Sequence, residues 1–120
     1  MTALEKALEK CIELGKILAE TEEFKRMKQA EYTLLHDEEA RKLVEHLQQL
    51  QQQCKSIEMS GQNLPEEKLN EIKDVEKNAL ANPVVRMSHE ANTEFQKIMF
   101  QISAKIRQGI KENSPPEEEE

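Results

Sequence analysis

The residues that could perform chemistry in this chain are its histidines, its cysteines and several pairs of neighbouring glutamates. In helical metal proteins, a glutamate three residues before a histidine places both side chains on one helix face, where they bind a metal. The positions three residues before His36, His46 and His89 hold Thr33, Leu43 and Arg86. None of these side chains is acidic, so the sequence lacks the di-iron signature and predicts no metal site.

Each histidine has a simpler structural interpretation. His89-Glu90 begins like a zinc-protease motif, but position 93 is threonine where a second histidine is required. His36 lies beside Asp37 at a predicted helix end, where a capping role is favoured. His46 lies beside the apolar stripe of its helix, so we expect it to face solvent.

The two cysteines, Cys11 and Cys54, lie 43 residues apart and form neither a CxxC pair nor a disulfide framework. Both occupy apolar positions of predicted helices, and a buried cysteine usually behaves as a small hydrophobe. That interpretation is favoured over a metal, cluster or redox role, which the sequence leaves open. Two thiols are too few for a closed metal site without other ligands, and we predict no cofactor.

Catalytic motifs are missing as well. The glutamate pairs begin at Glu22, Glu38 and Glu66, each at the start of a predicted helix. Carboxylates there compensate the positive end of the helix dipole, which explains them better than acid–base catalysis does. The sequence contains no Gly-x-Ser-x-Gly motif and no glycine-rich phosphate loop. We therefore expect that the protein is not an enzyme.

The charge and hydropathy of the chain limit the classes of partner that it is expected to bind. The net charge is −7, to which the run Glu117 to Glu120 contributes four charges. An acidic chain disfavours direct binding of nucleic acid or anionic lipid. Its best basic patch, 24–28, is short and is best explained as a solvated helix face. No apolar run approaches the ~20 residues that span a bilayer, and the N-terminus lacks a signal sequence. We expect a cytoplasmic protein without membrane contact.

The elements that carry these residues are helices. Apolar positions 40, 43, 47, 50, 54 and 57 recur every three or four residues, the spacing of a helix that packs lengthwise against other helices. Gly61 and Asn82-Pro83 mark clear breaks. The sequence predicts an all-α, antiparallel bundle of about five helices, of which the third and fifth are long. Residues 1–113 are predicted to form one domain, followed by a disordered acidic tail at 114–120.

The fifth predicted helix, from Pro83 to about Glu112, points to self-association. It would measure roughly 45 Å, longer than the ~30 Å diameter of a compact domain of this size. Part of its apolar stripe should therefore reach beyond its own chain and find a second copy. A bent or frayed helix inside a monomer is the alternative. The predicted interface residues are Phe95, Ile98, Met99, Ile102 and Ile106.

Several stretches, taken in order, resemble the YlbF/YmcA family of small helical bacterial proteins over residues 3–112. These stretches are Leu14-Gly15-Lys16, 22–31, Asp37-Glu38-Glu39-Ala40, 47–51 and Asn82-Pro83-Val84-Val85 with Ala91, Phe95 and Met99. The resemblance implies an all-α, cytosolic protein of Gram-positive type bacteria that forms dimers or larger assemblies.

Two family members assist ribonuclease Y in messenger RNA maturation, in a complex that carries iron–sulfur clusters, and affect competence, sporulation and biofilm formation. The cysteines of those members lie near the C-terminus, whereas residues 109–120 here contain none. The cluster is therefore not carried over to this chain, and a YheA-like member without an assigned cellular role fits at least as well. We predict a non-catalytic helical interaction or scaffold protein that self-associates. The alternative is a regulatory subunit of the ribonuclease Y complex that acts through protein contacts.

Overall fold

The computed structural model describes residues 1–116, and its secondary structure there is entirely helical. The helices are α1 (Ala3–Leu18), α2 (Glu22–Leu35), α3 (Glu38–Met59), α4 (Glu66–Ala81) and α5 (Pro83–Glu112). The predicted all-α fold is confirmed, as are the long third and fifth helices. The predicted acidic tail begins at residue 114, and its residues 117–120 lie outside the described residues.

Short polar side chains set most helix starts. The hydroxyl oxygens of Thr2 and Thr21 accept backbone N–H bonds at the starts of α1 and α2. The side-chain oxygen of Asn82 accepts from Val84 and Val85 at the start of α5, where Pro83 is the first helical residue. Helix α4 begins differently, because Pro65 precedes its first turn and no side chain caps it. Gly61 ends the α3 region with a φ of 85°, which favours glycine.

Asp37 is the cap whose loss we expect to cost most, because it lies at the junction of two packed helices. The backbone N–H of Ala40 donates to the Asp37 carboxylate at 2.9 Å, and Ala40 itself belongs to the core. Asp37→Ala should lower the free energy of unfolding by about 1 kcal/mol. Urea denaturation checks this value. Asp37→Asn retains the acceptor and is the matched control, so equal losses from both variants would contradict the capping role.

The core lies where α3, α4 and the start of α5 meet. Ala40, Ala79 and Val85 form its buried centre. Half-buried aliphatic side chains surround it: Leu34, Leu43, Val44, Leu47 and Val84. Small residues at the centre let the helix backbones approach closely. Leu50 and Cys54 extend the buried side of α3 beyond this cluster.

Helix α1 stands apart from the packed helices. α5 packs most extensively along α2, and α3 packs along α4, whereas α1 has no extended packing against another helix and buries no residue. The radius of gyration of 20.2 Å exceeds the roughly 14 Å expected of a compact chain of this length. The bundle therefore consists of α2–α5, with α1 as an outlying helix.

The two cysteines have different environments. Cys54 is buried in α3, as its apolar position predicts, whereas Cys11 is exposed. The expectation of a small buried hydrophobe is therefore wrong for Cys11. The physical reason is that, among the described helices, none packs along the part of α1 around Cys11, and the periodicity alone could not reveal this.

Candidate functional site

The predicted interface residues fall on one side of α5, which we call the α5 face: Phe95, Ile98, Met99, Ile102 and Ile106. Phe95, Ile98 and Ile102 are half-buried within the chain, whereas Met99 and Ile106 are exposed. Ile106, the last of the five toward the C-terminus, is the most exposed. The second half of the α5 face is thus the part that the chain itself leaves open.

The position of α2 explains why the chain covers the first half of α5 but not the second. The ring centroids of Phe24 and Phe95 lie 5.7 Å apart with the planes tilted by 60°, a favourable aromatic arrangement. Phe24 lies in the first turn of α2, which begins at Glu22. From Phe95, α5 continues for more than four turns to Glu112. α2 does not accompany this part of α5, because Phe24 already lies at the beginning of α2. Phe95 therefore serves the internal packing of the chain, and Ile106 has an exposed fraction of 53%.

A groove of about 550 Å³ lies beside the open part of the α5 face. Leu14 of α1 lines one side, and Ile102 and Ile106 of α5 line the other. Its remaining lining comes from Gln101 and Lys105. The groove thus combines two helices that are distant in sequence, and its lining is mostly apolar. Such a groove fits an apolar helix better than a polar small molecule.

The outlying helix carries a second open apolar surface. We call it the α1 face, and it consists of Leu4, Ala7, Leu8, Cys11 and Gly15. All five residues are exposed, and the exposed fractions of Leu4 and Leu8 are 68% and 55%. The apolar position of Cys11 predicted burial, whereas the structure exposes this side of α1. Both α1 and the second half of α5 therefore expose apolar side chains.

A separate cleft of about 470 Å³ lies between α2 and the first half of α5. Its apolar lining comes from Ala30, Val84, Met87 and Ala91. The polar and charged lining residues are Glu23, Arg26, Gln29, Thr33, Glu90 and Glu94. An apolar lining with a mainly acidic rim suits contact with a protein segment. Among its lining residues, no buried polar side chain would orient a small-molecule substrate.

The histidines do not converge. The His36 ring stacks on Tyr32 at 4.0 Å, and its Nδ1 lies 2.8 Å from the Tyr32 carbonyl oxygen, so it closes the end of α2 as expected. His46 is exposed, also as expected, and His89 is exposed on α5. Within residues 1–116, no three His, Cys, Asp or Glu side chains are grouped as a metal site would require.

None of the helices in the described part of the chain combines the length and apolar character needed to cross a membrane.

Comparison with known proteins identifies a family and a relative. A family model described as "Control of competence regulator ComK, YlbF/YmcA" matches residues 7–111. A UPF0342 protein of Levilactobacillus brevis is 27% identical over 100 residues, which cover 83% of this chain and 88% of that protein.

Proposed function

The chain belongs to the YlbF/YmcA family, and from this premise we propose that it is a non-catalytic helical interaction protein that forms a homodimer in the cytoplasm. The family description concerns control of the competence regulator ComK, which is a regulatory role. Regulation by a small helical protein requires a surface for other proteins rather than a reaction centre. The open half of the α5 face is the observation that carries this proposal.

Exposed apolar side chains of this size are costly when they stay in water. Burial contributes about 25 cal/mol for each Å² of apolar surface, and soluble monomers rarely expose large contiguous apolar patches. The α5 face ends in Ile106, followed by the exposed Ile110. Pairing about a two-fold axis would cover the same face on both subunits at once. Self-association is therefore the simplest way to bury this surface.

The mass of the purified protein tests self-association directly. Light scattering coupled to size-exclusion chromatography at micromolar concentration should return about twice the chain mass of 13.9 kDa. A dilution series should show the mass falling as subunits separate. A mass of one chain at every concentration would contradict the homodimer, and the α5 face would then need a different protein partner.

A second candidate function follows from the family. We propose as the alternative that the chain is a regulatory subunit of a complex that assists ribonuclease Y in messenger RNA maturation. The acidic net charge of −7 favours protein contacts over direct RNA contact in such a complex. The cleft between α2 and α5 could bind another protein of such a complex, because it is separate from the α5 face.

Affinity purification of the tagged protein from its native host, followed by mass spectrometry, distinguishes the two candidates. The regulatory reading requires that ribonuclease Y or other members of the family copurify, and that they remain bound after nuclease treatment. Recovery of the bait alone would favour the self-associating protein. Loss of a recovered partner after nuclease treatment would indicate an RNA bridge and would argue against direct contact.

A further inference from the structure

We propose that the α1 face pairs with the α1 face of a second copy of this chain, antiparallel, with Leu4 opposite Gly15 of the partner subunit. This inference rests on the proposed self-association and adds the partner surface and its register. Helix α1 buries no residue within its own chain, so its apolar side is available. On the same helix, Leu14 lines the groove that Ile102 and Ile106 of the α5 face border.

Gly15 is the first observation that points to a close helix neighbour. Glycine within a helix destabilises it by roughly 1 kcal/mol relative to alanine, so its presence there needs a reason. Gly15 lies inside α1, and a Cβ atom added to it would meet nothing within 4 Å. No contact within the described chain therefore accounts for this glycine. A second helix passing directly over it would.

The spacing along the α1 face is the second observation. Leu4, Leu8, Cys11 and Gly15 follow the alternating four- and three-residue spacing of a helix–helix seam. In an antiparallel pair, Leu4 lies opposite Gly15 of the partner subunit, and Leu8 lies opposite Cys11 of the partner subunit. Each layer then combines one large and one small side chain, which is how facing positions interdigitate. Two-fold symmetry repeats both layers, because each contact occurs in both directions.

Charge is the third observation, and it concerns the rim of the same face. Antiparallel pairing in this register brings Glu5 to the side where Lys16 of the partner subunit lies. Neither Glu5 nor Lys16 makes an ion pair within residues 1–116, whereas Lys10 and Glu13 on the outer side of α1 pair at 3.2 Å. A parallel pair would keep Glu5 and Lys16 of the partner subunit apart, because the two positions are eleven residues apart along the helix and would stay at different heights. The charges therefore favour the antiparallel arrangement.

These three observations favour a second copy over an unrelated partner. An unrelated helix would have no reason to match the large and small positions of α1 in reverse order. The α1 sequence supplies this match by itself, since Leu4 and Gly15 are equally far from the middle of the seam, as are Leu8 and Cys11.

Disulfide cross-linking tests the register. The double variant Leu4→Cys with Gly15→Cys, built in a Cys11→Ser background, should form a covalent dimer under mild oxidation. Positions 4 and 15 lie about 16 Å apart along one helix, which exceeds the ~7 Å limit for a disulfide within one chain. Each single cysteine variant is the control and should form at least ten-fold less covalent dimer, because its cysteine faces no other thiol.

The possible outcomes separate this inference from the proposed function. Equal cross-linking of the single variants would indicate a parallel pair and would overturn the register. No cross-linking in any variant, with a dimeric mass in all of them, would overturn the α1 pairing while leaving self-association intact. A monomeric mass for the unmodified protein would contradict both proposals.

Two further variants probe the same contact without a cysteine. Gly15→Leu should raise the dissociation constant at least ten-fold, while the helix content of the monomer is retained because the site is open. Glu5→Lys and Lys16→Glu should each weaken the dimer, and the variant that carries both changes should recover its affinity. Failure of this recovery, or an unchanged affinity in Gly15→Leu, would contradict the antiparallel register.

Discussion

Ile106→Asp is expected to convert the homodimer into a monomer that keeps its helical fold. Ile106 lies on the open half of the α5 face with an exposed fraction of 53%, so an aspartate there remains hydrated in the monomer. In the dimer the same carboxylate would lie against apolar side chains. Two-fold symmetry places two such carboxylates in one interface.

The size of this effect follows from the lost burial and the added charge. Burying an isoleucine side chain contributes about 1.5–3 kcal/mol, and the two-fold axis doubles the loss. A loss of about 3 kcal/mol already raises a dissociation constant more than 100-fold. Desolvating the two carboxylates adds to this penalty. Light scattering at micromolar concentration should therefore return the mass of one chain, while circular dichroism returns an unchanged helix content.

Gln108→Asp is the matched control for this experiment. It adds the same charge two residues away, on the opposite side of α5, where the exposed Gln108 side chain hydrogen-bonds with the side chains of Lys105 and Glu112. This variant should remain dimeric. Monomers from both variants would indicate a general effect of acidity. A dimeric mass for Ile106→Asp would exclude Ile106 from the interface.

Ile102→Asp extends the test toward the covered part of the α5 face. Ile102 is half-buried and lines the groove beside Leu14, so this variant should weaken both the dimer and the local packing of α5. A melting temperature lower than that of Ile106→Asp is the expected sign of the second effect. Unchanged mass and unchanged melting would contradict the position assigned to the second half of α5.

Helix boundaries could be predicted from the sequence because capping is a local interaction. Thr21, Asp37 and Asn82 each accept a backbone N–H bond two or three residues ahead, and the residues that form this contact are adjacent in the chain. The type and order of side chains therefore determine where these helices begin. The α3 stripe was predictable for a similar reason, since Ala40, Leu50 and Cys54 are buried as their spacing indicates.

The side of α5 that meets the core could not be predicted in the same way. In the first turns of α5 the structure buries Val85 and the polar Ser88 and leaves the apolar Met87 exposed. A single residue, Asn82, separates α4 from α5, so the first turns of α5 must pack where that sharp corner directs them. This direction depends on the tertiary path of the chain, which helical periodicity does not contain.

The candidate site shows the same limit. Periodicity identified apolar faces on α1 and α5, but it could not state which of them another helix covers. Phe95 was predicted to lie in an interface between subunits, and in the chain it packs against Phe24. Whether Phe95 also reaches the partner remains a prediction. The open faces of α1 became visible only when the positions of α2–α5 were known.

Leu50→Ala is expected to give the largest loss of stability among single substitutions of the described core. Leu50 lies on the buried side of α3 with an exposed fraction of 4%. Truncating a buried leucine to alanine costs about 2–5 kcal/mol, because apolar contacts are lost and a cavity remains. The other buried apolar residues of the described chain are three alanines, one valine and Cys54. Few neighbouring large side chains can therefore move to fill the space.

Thermal and urea denaturation measure this loss, and Gln49→Ala is the control. Gln49 precedes Leu50 on the same helix but is exposed, so its truncation should change the free energy of unfolding by no more than about 0.5 kcal/mol. Domains of ordinary size are stable by only about 5–15 kcal/mol, so Leu50→Ala should remove a substantial share of the total. Because Leu50 belongs to the internal packing of α3, this loss should be the same at protein concentrations below and above the dissociation constant. A loss that appears only above it would place Leu50 in the dimer interface instead.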